Sequence, residues 1–322
     1  MNRYAIIPIR DALSRVNQKV NLIGCVREFS PPRKSSGTDY VSILKIVDES
    51  YKDEEFSVHI FTGKLQDLPI IRSYNDVIIL YQVKIVEFSG RKNADFNKRF
   101  SSYALFDENS CSDFNPYQAS PGFRLLEPDM GFIRRKVHFC TQIPLSEGMG
   151  EYLLSLKQLK NKEHFDLVCK VLHIEKVANN TWMLFVWDGN DTPPLSSDVN
   201  LDNEEQNPLP FQIEQFSVPK DILCTFPRVG TILQVMTNDV HENFGLCFEG
   251  IGKWTKIRNM TCEIHLGLWR GLLLSSSRFR FLPHNDCAVL ERIRNVNQRI
   301  SGEEGRVPSW RHPLYLTDKL YI

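Results

Sequence analysis

The stretch from Phe29 to Phe61, FSPPRKSSGTDYVSILKIVDESYKDEEFSVHIF, decides the fold. It opens as a polar, turn-rich loop, Ser30 to Asp39, that contains Pro31, Pro32, Arg33, Lys34 and Gly37. From Tyr40 the residues alternate: Tyr40, Ser42, Leu44 and Ile46 point one way, and Val41, Ile43, Lys45 and Val47 the other. A strand in a curved sheet needs this period. A further strand, Phe56 to Phe61, follows an acidic turn, and strict parity groups Phe61 with His59 and Ser57 on the polar face. In a small five-stranded barrel, such a loop and the face of strands two and three form a groove suited to single-stranded nucleic acid.

Outward from this stretch, the first series of strands is expected near 19–29, 40–48, 56–61, 76–88 and 101–106, after a lead-in at 6–18 with one short helix. Gly63 to Leu68 is long enough for a helix of one or two turns, ended by Pro69. Regularity falls off between Asp107 and about Lys162, and within this region Glu151 to Leu159 is spaced like a short amphipathic helix. A second series is expected near 164–177, 181–188, 230–238, 253–266 and 268–282, interrupted by an acidic, proline-bearing loop at 195–219. Asp286 to Arg299 has helical spacing. Strands without interleaved helices predict an all-β chain of two five-stranded Greek-key barrels in tandem, each with a short helix. The expected boundaries are 1–107 for the first barrel, 108–162 for a structured linker, 163–300 for the second barrel and 301–322 for an irregular tail.

The 322 residues suffice for two domains with their own cores, and a hydrophobic content of 42% with 24% charged residues is that of an ordinary folded protein. Lys plus Arg equals Asp plus Glu at 39 each, which argues against duplex binding driven by phosphate neutralisation alone. Binding would have to come from local patches or base stacking. Basic clusters occur at 84–99 (Lys84, Arg91, Lys92, Lys98, Arg99) and at 253–280 (Lys253, Lys256, Arg258, Arg270, Arg278, Arg280), each of which is alternatively a solvated face. The 8 cysteines include no C-x-x-C pair, so no metal site is expected; several, such as Cys25 and Cys169, sit in apolar runs and read as free buried thiols in a reducing compartment. The N-terminus lacks an apolar signal core, and no run approaches membrane-spanning length, so no membrane partner is expected. No Walker loop, H-E-x-x-H, G-x-S-x-G or strand-following G-x-G-x-x-G is present. Neither catalytic residues, a cofactor nor a small-molecule substrate is therefore expected.

Pro31-Pro32, Gly37-Thr38-Asp39-Tyr40, Ile46-Val47-Asp48, Phe61 and Leu68-Pro69-Ile70-Ile71 together resemble the first barrel of the protection-of-telomeres family, single-strand binders of telomere ends. Phe165 to Cys169, Val186 to Pro194 and Gly267 to Leu273 resemble the second barrel of its land-plant members, so the resemblance runs in order over nearly the whole chain. It implies a non-enzymatic nuclear protein at the telomeric region of chromosomes. Such a protein binds the G-rich single strand, caps the end and regulates telomerase access, with telomerase and end-capping proteins as possible partners. Family members continue into a C-terminal partner-docking domain, and this sequence, which stops at Ile322, resembles the family without it. Two other classes stay open. One is a protein-interaction factor of telomerase or the end-capping complex with little DNA affinity; the other is a general single-strand binder in replication or repair.

The resemblance also assigns residues. Thr38 and Asp39 fall at base edges, where a carboxylate accepts from guanine's imino and amino groups; alternatively both stabilise the turn before Tyr40. Phe61 corresponds to the stacking aromatic, with a core phenylalanine as the alternative. Gln82, Lys84 and Phe88 share one side of strand four, Phe88 standing where the animal proteins carry tyrosine. Arg33, Lys34, and Arg91 and Lys92 in the following loop are candidate phosphate ligands. In the second barrel, His164 stands at an aromatic position, and Arg270 and Arg278 are candidate DNA contacts; Met236 and Thr237 replace an aromatic–acid pair, and Thr261 replaces a histidine. Trp187 and Trp269 are family hallmarks that read as structural.

Overall fold

A computed structural model describes residues 5–108, 113–142, 152–177, 181–193, 218–227, 229–265 and 268–301. The acidic loop as far as residue 217 and the tail beyond 301 lie outside the described residues. After a one-turn helix α1 (Ile9–Ala12), the first barrel uses β1 (Lys19–Phe29), β3 (Tyr40–Asp48), β4 (Tyr51–Thr62), β5 (Val77–Phe88) and β6 (Arg91–Asn97), with a two-residue β2 (Arg33–Lys34) paired to β3. β1 pairs with β5 through Lys19↔Lys84 to Cys25↔Val77 and with β3 through Cys25↔Val47 to Phe29↔Leu44, so one strand serves two neighbours by bending. Gly24 lies at the bend, where a Cβ would stand 3.0 Å from the Val47 carbonyl oxygen; glycine lets the strands approach this closely without displacing a neighbour. β3 pairs with β4, β4 runs parallel to β6, and β6 pairs with β5, which closes the five-stranded circuit of an oligonucleotide-binding barrel. A single 3-10 turn at Leu65–Asp67 occupies the position expected for the short helix.

The fifth strand differs from the expectation. It is β6, which has just two inward apolar residues, Ala94 and Phe96, in an otherwise polar segment. The expected strand near 101–106 is β7 (Ser102–Phe106), which pairs with β5 outside the circuit and carries the two-residue β8 (Gln118–Ala119) on its other edge. Arg91 and Lys92 are consequently strand residues, following the Ser89-Gly90 turn. β5 serves two environments through a bulge at Gln82, which has a positive φ of 56°. Before it, Val77, Ile79 and Tyr81 join an outer apolar layer with Ala104, Phe106, Ile133 and Cys140; after it, Val83 and Ile85 are buried while Lys84 and Val86 are half-buried.

The layer over this outer face is α2 (Glu127–Gln142), a helix within the expected linker. Its apolar stripe Met130, Ile133, Val137, Cys140 has helical spacing, and Pro128 falls in the first turn, where a missing N–H costs little. Tyr81 donates to Asp129 Oδ2 at 2.5 Å, and the buried Lys136 pairs with Glu49. Cys25 and Cys140 form a disulfide, with Cα atoms 5.9 Å apart, so the expectation of a free thiol fails at Cys25 and holds at Cys169. Proximity across 115 residues of sequence carries no local signal. The amphipathic helix expected at 151–159 is instead a two-residue strand β9 (Leu153–Leu154) and a 3-10 turn at Leu156–Gln158.

β10 (His164–Lys176), β11 (Trp182–Trp187), β12 (Leu233–Met236), β13 (Trp254–His265) and β14 (Leu268–Leu282) repeat the circuit: β10 pairs with β11 and β13, β11 with β12, β12 runs parallel to β14, and β14 neighbours β13. A short α3 (Lys220–Leu223) precedes β12, and α4 (Cys287–Ser301) follows β14 as the spacing predicts. The turn after β11 is the socket for α4. Asp188 is buried, accepts from the backbone N–H groups of Leu156 and Asn190 at 2.9 Å each and faces Arg292; Arg299 donates to the Gly189 carbonyl and to Asp191. Trp187 donates to the Val229 carbonyl at 2.7 Å and Trp269 to that of Pro193 at 2.9 Å, the structural roles expected of them.

The chain forms two compact units, and the first includes Val240–Gly250 and the last residues of β14, Arg278–Leu282. Phe29 pairs with Phe279 in the sheet and packs against the rings of Phe279 and Phe281 at 5.9 and 5.2 Å, while Phe248 stacks on Phe244 at 4.7 Å. Arg280, between Phe279 and Phe281 on the strand, is buried and paired with Glu28 and Glu55.

Candidate nucleic-acid interface

β3, β4, β6 and the second half of β5 present one continuous outer face. Register sets Val41, Phe61 and Asn97 in one row and Ile43, His59, Asp95 and Lys84 in the next, with Lys45 opposite Ser57 beyond. Parity places Phe61 as expected: Phe56, Val58 and Ile60 are buried, and Ser57, His59 and Phe61 are half-buried on the other side. The His59 ring meets the Phe61 ring edge-on at 6.5 Å, and its Nδ1 lies 3.3 Å from Asp95 Oδ1. Lys45 donates to Ser57 Oγ at 2.8 Å; burial pulls its ammonium below the ordinary lysine value, against the attraction of Glu55 and Glu28.

The long loop is laced to β3 by Ser30, whose N–H donates to the Ile43 carbonyl and whose Oγ accepts from the Ile43 N–H, both at 2.8 Å. Its turn is closed by Ser35, which accepts from Gly37 N at 3.2 Å and donates its own N–H to the Asp39 carbonyl. Thr38 is exposed at the tip, and Asp39 Oδ1 accepts from Lys98 Nζ at 2.5 Å. The face therefore offers an aromatic surface, carboxylate acceptors and amines, the three kinds of group that seat an unpaired nucleotide.

The other expected residues fall in three places. Arg33 and Lys34 lie on β2 opposite Val41 and Tyr40, and the Glu242 carboxylate, hydrogen-bonded to Lys34 at 3.1 Å, raises the Lys34 ammonium above its ordinary value. Lys84 sits in the face beside Asp95, with Gln82 at the bulge, its N–H bonded to Asn21 Oδ1. Phe88, 77% exposed, is opposite Arg91 at the hairpin tip, with Lys92 opposite Glu87. Four residues along a strand place Phe88 about 13 Å from Lys84. The tip thus extends the face rather than joining its centre.

In the second barrel, His164 is exposed, with Nδ1 3.1 Å from Asn259 Oδ1. Beside it, Asp166 accepts from Asn259 N at 3.0 Å and lies within 3.5 Å of both Lys256 and Arg258. Arg270 pairs in register with Gln234, and burial draws its guanidinium below the ordinary value. Thr237 is committed to the fold, accepting from Trp182 N at 2.9 Å, and Met236 closes β12. Arg278 belongs to the first unit, where its charge acts on Lys45. Sequence reasoning placed His59 beside Phe61 but missed Asp95, next to His59, and Lys98, on Asp39. Parity carried the signal for His59; the other two depended on locating β6.

The family described as "Telomeric single stranded DNA binding POT1/CDC13" matches residues 1–142, and "ssDNA-binding domain of telomere protection protein" matches residues 155–272. Protection of telomeres protein 1a of Arabidopsis thaliana is 30% identical over 96% of this chain and 67% of its own length. The chain belongs to the protection-of-telomeres family. Protection of telomeres protein 1b of the same plant is 30% identical over 92% of this chain and 64% of its own length, and the Homo sapiens protection of telomeres protein 1 is 29% identical over 54% of this chain and 26% of its own. The chain thus spans about two thirds of the plant proteins it matches. Fission yeast Pot1 with single-stranded DNA is similar at a TM-score of 0.38 and 16% identity, covering 92% of this chain and 94% of that one, so the barrel assignment here rests on strand pairing. The two matches to protection-of-telomeres descriptions coincide with the barrels: the first takes in β1 to β8 with α2, the second β10 to β13 and the start of β14.

Proposed function

We propose that this chain binds the G-rich telomeric single strand without catalysis, shields the chromosome end in the nucleus and regulates telomerase access there. Family membership supports the ligand. The observation that carries the reading to residues is the outer face on which Phe61 and His59 lie beside Lys84, with Asp39 at its end. In this reading Phe61 stacks a base, and Thr38 and Asp39 accept and donate at a base edge. Lys84 and Gln82 line the groove, and Phe88, Arg91 and Lys92 extend it along the hairpin. Arg33 and Lys34 take phosphates, while His164, Arg270 and Arg278 provide further contacts. The boundaries 1–107, 108–162, 163–300 and 301–322 stand as a proposed functional division of the chain.

The test is fluorescence anisotropy of the whole chain at physiological salt with a labelled G-rich telomeric single strand and a scrambled strand of the same composition. Tight binding that discriminates between them is the expected result. Equal binding would make the protein a general single-strand binder of replication or repair. The protein-interaction alternative is favoured by the equal numbers of basic and acidic residues, 39 each, and by the engagement of Thr237 in the fold. A folded chain that binds neither strand yet retains partners after nuclease treatment would establish it.

A further inference from the structure

We infer that Lys98 sets how strictly the Asp39 position reads guanine, an inference that rests on the single-strand reading above. Asp39 Oδ1 and Lys98 Nζ are 2.5 Å apart, with the two side chains 26% and 46% exposed. They meet in the corner where Tyr40 pairs with Thr62 and Phe61 with Asn97, and Nζ passes 3.4 Å from where a Cβ would stand on Gly63. The carboxylate that would meet a base edge beside Phe61 is thus already paired with a removable partner.

A carboxylate is acceptor-only. Guanine offers it two adjacent donors, N1–H and the 2-amino group; the other bases offer at most one on the pairing edge. In a site built on a carboxylate alone, a base without those donors leaves a desolvated charge unpaired, and this is what makes such sites reject analogues sharply. Lys98 removes that penalty. When a non-guanine base occupies the position, the ammonium stays on Asp39. When guanine arrives, its donors take over the carboxylate, and Lys98 swings on its flexible stem to solvent or a phosphate. The pair also lowers affinity for guanine, because the ion pair must open first. Both effects act in one direction: Lys98 makes the position tolerant.

The test uses the whole chain, a labelled G-rich telomeric single strand, and a set in which each guanine is replaced in turn by adenine. The guanine whose replacement ceases to matter in Asp39→Ala marks the Asp39 position. There, Lys98→Met is expected to raise the guanine-over-adenine preference about 3- to 10-fold, and Lys98→Arg, which keeps the pair, to retain the wild-type preference. An unchanged or lower preference in Lys98→Met, with both strands weakened alike and a shallower salt dependence, overturns the inference and makes Lys98 an ordinary phosphate ligand. If G-rich strands bind but no guanine meets the Asp39→Ala criterion, the inference falls and the single-strand reading stands. If the folded wild-type chain binds no G-rich strand, the reading fails, and the inference with it.

Discussion

Phe61 is a half-buried ring whose exposure follows from its neighbours' parity, since Ile60 and Val58 fill the barrel on the opposite side. Removing the ring leaves that core intact and takes away a stacking surface. Phe61→Ala is expected to weaken single-strand binding by about 1–3 kcal/mol, roughly 5- to 150-fold, with little change in thermal midpoint; unchanged affinity in the anisotropy assay would sink the stacking role. Asp76 gives a prediction of another kind. It is fully buried, and burial pushes its carboxyl up to about 6 despite hydrogen bonds to Oδ2 from Tyr117 Oη, Arg72 N and Ser73 N; Oδ1 has no partner among the described residues. The folded chain therefore holds this proton more tightly than the unfolded chain, whose carboxyl titrates near 3.8. The resulting stability is fully present below the unfolded value and is lost as pH rises through about 6. In urea unfolding at pH 4 and pH 7, Asp76 should account for a loss on the order of 2–3 kcal/mol that Asp76→Asn abolishes. Parallel profiles for wild type and variant would refute it.

At the scale of elements, α2 and β6 show what local pattern carries. α2 was legible in the stripe Met130, Ile133, Val137, Cys140, although Pro128 and Gly131 mask it as a turn region. β6 was barely legible, because a strand with two inward apolar residues has little periodicity to read and gains its place from pairing with β4 and β5. The bulge at Gln82 inverts the parity of β5 midway, so one strand faces α2 with its first half and the candidate interface with its second. The disulfide from Cys25 to Cys140 ties α2 to β1. Cys140→Ser is expected to lower unfolding free energy by about 2–4 kcal/mol under oxidising conditions and to speed amide exchange across Glu127–Gln142. Reductant should bring the wild type to the same behaviour. Equal exchange in oxidised and reduced wild type would show that packing alone holds the helix.

Over the whole molecule, sequence order and spatial order part company at residues 240–250 and 278–282, which fold with the first unit. A fragment ending at Leu145 lacks Phe244, Phe248, Phe279 and Phe281, uncovers Phe29 and removes Arg280 from the buried Glu28. Breaking a buried pair by removing one partner costs about 3–5 kcal/mol. The fragment should accordingly unfold at a lower temperature than the first transition of the whole chain and bind a hydrophobic dye. An unchanged transition and no dye binding would show that the first barrel is complete without these segments.

The sequence by itself determined what depends on short-range pattern: the alternation that turns Phe61 outward, the strands of the second barrel, the loop from Ser30 to Asp39, α4, and the ordered motifs by which the family was recognised. Tertiary structure decided whatever needs partners distant in the chain. The place of β6, the Cys25–Cys140 bond, the return of Phe279 and Arg280 to the first unit, and the pairing of Asp39 with Lys98 all join residues that no local period connects. The physical reason is that strand parity and helical spacing are properties of a few consecutive residues, whereas register, closure and ion pairing are set by which surfaces remain to be buried once those elements exist.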